Sequence, residues 1–308
     1  MKKIIIAAVI LLILTCSVYV FIPNIITLKN SVGIKTSQKG LHRMLLNRKS
    51  IKNWWPGTTS NDSFYLNGNS YQIYNNSFSL LPVIIENKGV SIKSTLFLIS
   101  PQTDSVSLEW VATTASSYNP LKRFSAYLKA RQLSSEMNTI LKKMQEYFAK
   151  PENIYGFDIK KELVVDANLI STSGSCKGYP STEFTYSLIS KLEGYANAQN
   201  TKITGYPMLN TEQTDSNDYF VRVALPLEKI IPSDEDIQQK RMLKNGNILV
   251  TEVKGGNLKA REAFDQIILY ADDYNRTSPA IPFYSLVTDR TKEPDSTKWI
   301  TKVYYPVR

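Results

Sequence analysis

Nineteen consecutive residues near the N-terminus, Ile4 to Ile22, read IIIAAVILLILTCSVYVFI and carry no charged side chain. A helix that is apolar on every side is stable only where no face meets water. About 20 such residues are needed to cross the hydrocarbon core of a bilayer. A secretory signal has a shorter apolar stretch, roughly 7–15 residues, followed by a small-x-small cleavage site. Here the residues from Val18 to Pro23 are bulky, so the run is expected to stay on the protein as an anchor. Lys2 and Lys3 on its amino side favour a cytoplasmic N-terminus, although Lys29, Lys35 and Lys39 follow closely behind it. The expectation is a single-pass protein of a bacterial inner membrane, spanning through residues 4–22, with its soluble part in the periplasm.

The rest of the composition narrows the chemistry. The 308 residues hold one histidine, His42, and two cysteines, Cys16 and Cys176. Nucleophilic sites built on Ser–His–Asp or Cys–His need a histidine beside the nucleophile, and zinc or iron centres need several His or Cys ligands. No GxxxxGK[ST] or GxGxxG phosphate loop is present. No catalytic residue, metal or cofactor is therefore expected. Asp272-Asp273 reads as a solvated helix end, and Asp289, Glu293 and Asp295 lie in a polar loop with the oxygen ligands that calcium takes. The net charge of +10 is unevenly spread. Residues 24–151 carry 16 basic and 6 acidic side chains, residues 152–308 carry 19 and 21, and the anchor adds only Lys2 and Lys3. The basic excess belongs to the part nearest the bilayer, where anionic head groups would attract it, or it is simply a soluble basic surface. Nucleic acid is not an expected partner.

From residue 24 to 151 the pattern runs strand, helix, several strands and one long helix. Ser37 to Ser50 has Leu41, Met44 and Leu45 at helical spacing, and Trp54-Trp55-Pro56-Gly57 ends it. Strands are expected over Tyr71–Phe78, Ser79–Glu86, Val90–Ile99 and Ser105–Ala115, with turns at Asn67-Gly68 and Asn87-Lys88-Gly89. Asn119-Pro120 is an N-cap followed by proline at the first helical position. Leu121, Phe124, Leu128, Met137, Ile140, Leu141, Met144 and Phe148 then form an apolar stripe that Pro151 stops. This segment resembles the START-like (SRPBCC) superfamily, on the helix ending in Ile51-Lys52-Asn53-Trp54-Trp55-Pro56 and the Asn119-Pro120-Leu121-Lys122-Arg123 helix start. The resemblance implies a curved antiparallel sheet around a long C-terminal helix, with an apolar cavity between them that the short, polar early strands call into question.

Residues 152–308 contain an internal repeat. A strand-like Ile159–Ile170 leads into a Gly/Ser-rich turn, Ser171 to Gly178, then a helix from Ser181 to Ala198 and two strands ending in Tyr219–Pro226. The order recurs as Asn247–Lys254, Gly255-Gly256, a helix from Leu258 to Tyr274, Phe283–Asp289 and Trp299–Val307. Pro226 and Pro306 stand 80 positions apart, as do Arg222 and Lys302. Two strand–helix–strand–strand copies related by approximate two-fold symmetry follow from this. Leu249 to Gly256 and Trp299 to Val307 resemble the GyrI-like domain, the effector-binding module of AraC- and MerR-type regulators. The resemblance implies a groove lined by aromatic side chains that takes a small molecule or a partner.

Drug-binding members of that family carry a glutamate that meets cationic ligands; the matching position here is Lys302, and its first-copy counterpart is Arg222. Strand alternation puts Ile300, Lys302 and Tyr304 on one face and Arg222 and Ala224 on the equivalent face. Either two symmetry-related cations face the groove and favour an anionic or neutral polar ligand, or both are solvated charges. The expected architecture is α+β: a transmembrane helix (1–23), a START-like domain (24–151) and a GyrI-like domain (152–308). The expected function is non-enzymatic small-molecule binding or sensing, with Arg222, Ile300, Lys302, Tyr304 and Glu252 at the groove. A hydrolase using Tyr304 and Glu252, or an envelope-interaction protein with vestigial grooves, are the alternatives.

Overall fold

The computed structural model describes residues 2–60 and 63–308 and divides into two compact units, Met1–Lys150 and Pro151–Arg308. It is α+β, with one antiparallel sheet in each unit. The apolar run forms α1 (Lys2–Phe21), a helix long and apolar enough to cross a membrane, whose described side chains are exposed or half-buried.

Unit 1 continues with β1 (Ile25–Ile34), α2 (Gln38–Leu46), α3 (Arg48–Ile51), β2 (Thr58–Thr59), β3 (Phe64–Leu66), β4 (Asn69–Ile73), β5 (Leu80–Asn87), β6 (Val90–Gln102), β7 (Ser105–Ala115) and α4 (Pro120–Phe148). The sheet order is β1-β7-β6-β5-β4-β3-β2. The helix expected over Ser37–Ser50 breaks at Asn47, whose backbone is extended and whose side-chain Oδ1 caps α3 by accepting from the Lys49 N–H. The strand expected over Tyr71–Phe78 ends at Ile73, and it begins earlier because Asn67-Gly68 makes a two-residue hairpin, both at positive φ, with β3. The Trp-Trp-Pro-Gly motif has a packing reason. Trp55 Nε1 donates to the Tyr65 carbonyl at 3.0 Å, and a Cβ on Gly57 would meet that same oxygen at 1.9 Å. Only glycine allows the approach. Trp54 and Trp55 then start a chain of edge-on ring contacts, Phe148–Trp54–Trp55–Tyr71–Trp110, with centroids 5.2–6.1 Å apart.

α4 forms as expected from its Asn119 cap, which accepts from the Leu121 and Lys122 N–H groups, through 29 residues. Its apolar stripe is not continuous, however. Leu133, Met137, Ile140, Leu141, Met144 and Phe148 are buried, while Leu121, Phe124 and Leu128 are exposed. The inward positions of the first turns are Arg123 and Ala130 instead. Glu136 is also inward and 3% exposed. It accepts from Asn69 Nδ2 (2.6 Å), the Tyr71 hydroxyl (2.9 Å), Gln132 Nε2 (3.1 Å) and Asn67 Nδ2 (3.3 Å), which joins the β3–β4 hairpin to the helix.

Unit 2 consists of α5 (Pro151–Tyr155), β8 (Lys160–Leu163), β9 (Asn168–Lys177), α6 (Thr182–Ala198), β10 (Met208–Gln213), β11 (Asp218–Pro226), β12 (Gln238–Arg241), β13 (Asn247–Lys254), α7 (Asn257–Asp273), β14 (Phe283–Leu286), a single 3-10 turn (Ser296–Lys298) and β15 (Ile300–Pro306). The sheet order is β12-β9-β11-β10-β14-β15-β13-β8. It reads outward from the β10–β14 pair as the same sequence of elements on both sides, which is the two-fold relation of the repeat. The edge strands are exchanged: β8 precedes the first copy but pairs with β13 of the second, and β12 precedes the second but pairs with β9 of the first. Each copy thus completes the other's sheet.

Two expectations in this half are corrected. The segment Ser171–Lys177 is strand, not turn: β9 runs through it, paired with β11 on one side and, at its first residues, with β12 on the other. Its small polar residues look like a loop in the sequence because one of the strand's faces borders open space. Asp273 is not a solvated helix end but buried, and it accepts from the Tyr155 hydroxyl at 2.9 Å, joining α5 to α7.

Removing the Glu136 carboxylate leaves the buried Asn69 amide and Tyr71 hydroxyl without their acceptor, while the exposed Asn67 and Gln132 can turn to water. Each unmet buried donor costs about 1–3 kcal/mol. Glu136→Ala is expected to lower the stability of unit 1 by about 2–4 kcal/mol, and Glu136→Gln by less. Chemical denaturation of the full chain in detergent, followed by tryptophan fluorescence, checks this; all four tryptophans but Trp299 lie in unit 1.

A candidate ligand cavity on the helix-free face of unit 2

In unit 2 the helices cover one face of the sheet. Val221, Val223 and Leu209 pack with Ile189 and Leu192 of α6, and Tyr284 meets Phe264 of α7 at 5.4 Å. Alternation then turns Arg222, Ala224, Lys302 and Tyr304 toward the opposite, helix-free face. On that face lies a cavity of about 680 Å³, within the roughly 300–1,000 Å³ range of small-molecule sites.

The cavity sits over the first copy, and the register explains why. Across the strands, Arg222 stands between Ser173 and Asn210, and Ala224 between Ser171 and Met208. The equivalent rows in the second copy are Glu252, Lys302, Ser285 and Val250, Tyr304, Phe283. Tyr304 and Phe283 stack at 5.0 Å and 19°, with Met208, Met242, Val164 and Ile248 beside them, and fill the second side. On the first side Ser171 and Ala224 leave that volume open, and Phe283 forms a wall. Gln238 and Lys240 of the exchanged β12 border it beyond β9.

Arg222 is held on the floor of the cavity. Its Nη1 donates to Asn210 Oδ1 (2.8 Å) and Glu212 Oε2 (2.9 Å), and its guanidinium lies 4.5 Å from the Phe220 ring centre. The Lys302 ammonium is 3.9 Å from Glu252 Oε2. Both expected cations therefore share the helix-free face, each beside a glutamate, but only Arg222 lines the cavity. Ile300, Lys302, Tyr304 and Glu252 do not line it; Tyr304 backs its Phe283 wall. At the rim, Lys191 pairs with Asp236 at 2.7 Å and draws that carboxyl below its usual range. Lys240 and Arg241 add positive charge, and Glu235 adds one negative charge.

Burial pushes the Tyr304 phenol up, and the nearby Glu162, Asp166 and Glu252 carboxylates push the same way. A phenolate is thus disfavoured there, which works against its use as a base or nucleophile. Asp289 and Asp295 spend their carboxylates on Thr291 and Thr297 of their own loop. Trp299 holds that loop by donating from Nε1 to the Glu293 carbonyl at 2.7 Å, and its ring supports the Arg290 guanidinium at 4.5 Å. Gly255, whose N–H donates to the Trp299 carbonyl, has φ +142°, which glycine adopts readily. The two motifs that carry the GyrI-like resemblance therefore meet at the start of α7. Sequence reasoning did not single out Ser173, Asn210, Phe220, Phe283 or Lys240. The contrast of Ala224 with Tyr304 at the repeat spacing was the one available signal, whereas nothing local marks β12 as bordering the other copy's site.

No protein-family model matches the chain, and no curated protein matches it. Among solved structures, the chain is similar to the C-terminal domain of EcmrR, with 13% identity over 49% of this chain and 98% of that one and a TM-score of 0.42. A hydrolase from Listeria innocua aligns at 12% identity over 49% of this chain and 91% of its own, with a TM-score of 0.38. The Aha1 dimer structure from Colwellia psychrerythraea aligns at 12% identity over 40% and 96%, with a TM-score of 0.31.

On the helix side, burial also raises the phenols of Tyr179, Tyr186 and Tyr284, opposed at Tyr179 by Arg290 and Arg261. An unfolded tyrosine ionises near pH ~10. Stability linked to these groups is intact below that value and is lost as pH rises through the higher folded values. Unit 2 is expected to lose stability above pH ~10, with these phenolates appearing together with the loss of structure. Parallel ultraviolet absorbance and circular dichroism titrations check it.

Proposed function

We propose that this chain is a non-enzymatic small-molecule binding or sensing protein, anchored by α1 in a bacterial inner membrane with its soluble part in the periplasm. In this reading unit 2 is a GyrI-like effector-binding domain and unit 1 a START-like domain whose interior is occupied by its own aromatic rings. The observation that carries the reading is the open Ser171–Ala224–Met208 row, which stands where Val250, Tyr304 and Phe283 close the second copy. The ligand that suits this cavity has an apolar body and a polar or anionic end. The body meets Met208, Phe220, Ile281 and Phe283, and the polar end reaches Arg222, Ser173 and Asn210.

A panel of aromatic and aliphatic carboxylates, screened by thermal shift against the full chain in detergent, tests this. A ligand at 100 times its Kd stabilises the native state by about 2.7 kcal/mol. Ala224→Tyr, which copies the closed half, is expected to abolish the shift while leaving the fold intact. Arg222→Glu is expected to weaken anionic ligands at least tenfold, and Lys302→Gln to leave them unchanged. Ligands that bind equally well to the Ala224→Tyr protein would place the site elsewhere.

A further inference from the structure

The end of α1 is clamped to the start of α4. Arg123 is 4% exposed, and its guanidinium donates from Nε to the Ile22 carbonyl (2.8 Å), again to that carbonyl from Nη2, and from Nη1 to Asn24 Oδ1 (2.8 Å). It also lies 5.0 Å from the Tyr19 ring centre, and the Tyr19 hydroxyl donates to the Tyr118 carbonyl. Ile22 immediately follows α1, and a cation at the carbonyl end of a helix is favourable, so Arg123 ties this junction to α4.

The clamp uses the inward side of the first turns of α4 and leaves their other side uncovered. Tyr118 is 86%, Leu121 81%, Phe124 50% and Leu128 51% exposed. Residues 121, 124 and 128 follow i, i+3, i+7 spacing and form one face. Lys122 and Lys129 flank that face, and the sequence holds no acidic residue between Glu109 and Glu136. Apolar residues bordered by lysines, in a stretch of chain that carries no carboxylate, suit the boundary between acyl chains and anionic head groups. The face is also continuous with α1, whose Val20 and Phe21 are exposed immediately before the clamp.

We propose that residues 118–128 form a lipid-interface docking surface. Tyr118, Leu121, Phe124 and Leu128 enter the head-group layer of the membrane that α1 spans, and Lys122 and Lys129 meet anionic lipid. This rests on α1 being a membrane span. Arg123 makes the span and the surface one rigid piece, so unit 1 is seated on the bilayer rather than tethered above it.

Nitroxide labels in the full chain test this, on a Cys16→Ala/Cys176→Ser background reconstituted in phosphatidylethanolamine/phosphatidylglycerol vesicles. Single labels are placed by Leu12→Cys in α1, Leu121→Cys and Phe124→Cys on the surface, and Lys142→Cys on the far part of α4. The labels at 12, 121 and 124 are expected to be accessible to oxygen and shielded from a water-soluble nickel chelate, with the label at 142 showing the reverse. Lys122→Glu/Lys129→Glu is expected to raise nickel accessibility at 121 at least threefold in anionic vesicles and leave it unchanged in neutral ones. An aqueous label at 121 with a lipid-embedded label at 12 overturns the docking surface and leaves the anchor standing. An aqueous label at 12 overturns both. Spin–spin broadening at 121 assigns the face to a second copy of the chain and also overturns the proposal.

Discussion

Val221, Val223 and Val303 have to leave water, and a strand has only two faces on which to place side chains. Packing these valines beneath α6 and α7 commits Arg222, Ala224, Lys302 and Tyr304 to the other face of the same sheet. The continuous pairing of β10 with β14 makes that face a single surface across both copies. The cavity and its polar floor follow from this one constraint. A one-residue slip of β11 would send Arg222 into the apolar layer against α6 and close the cavity with valine.

The repeat is symmetric in backbone and asymmetric in side-chain volume. Tyr304 stacked on Phe283 completes a small core on one side, and Ala224 beside Ser171 leaves a space of ligand size on the other. Exchange of β8 and β12 makes the two copies interdependent, since each first strand lies beside a strand from the other copy. Such a domain can keep one half as scaffold and the other as site.

Unit 1 turns two buried charges to structural ends. Glu136 gathers neutral donors from the β3–β4 hairpin and its own helix, fixing where α4 crosses the sheet. Arg123 satisfies carbonyl and amide oxygens where α1 ends. Arg123 takes the inward side of the first turns of α4, where an apolar-stripe reading places Leu121 and Phe124, and Glu136 is an inward charge beside the buried Met137. The stripe was therefore legible from Met137 onward and misleading before it. The α4 boundaries were legible because cap and stop are local: Asn119, Pro120 and Pro151 act within a turn of themselves. The short strands β2 and β3 were not, because their stability comes from Gly57 and Trp55 against the Tyr65 backbone, a contact between segments.

The sequence by itself determined the apolar N-terminal helix, the α+β class, the 80-residue repeat and the alternation that puts Arg222 and Lys302 on equivalent faces. Each depends on spacing within one segment, and periodicity survives without knowledge of neighbours. Only the tertiary structure decided that Ser171–Lys177 is strand, that Arg222 lines a cavity while Lys302 does not, and that Leu121 faces outward. Those outcomes depend on which strand lies beside which and on how much volume the neighbour fills, and neither quantity is written in any single stretch of chain.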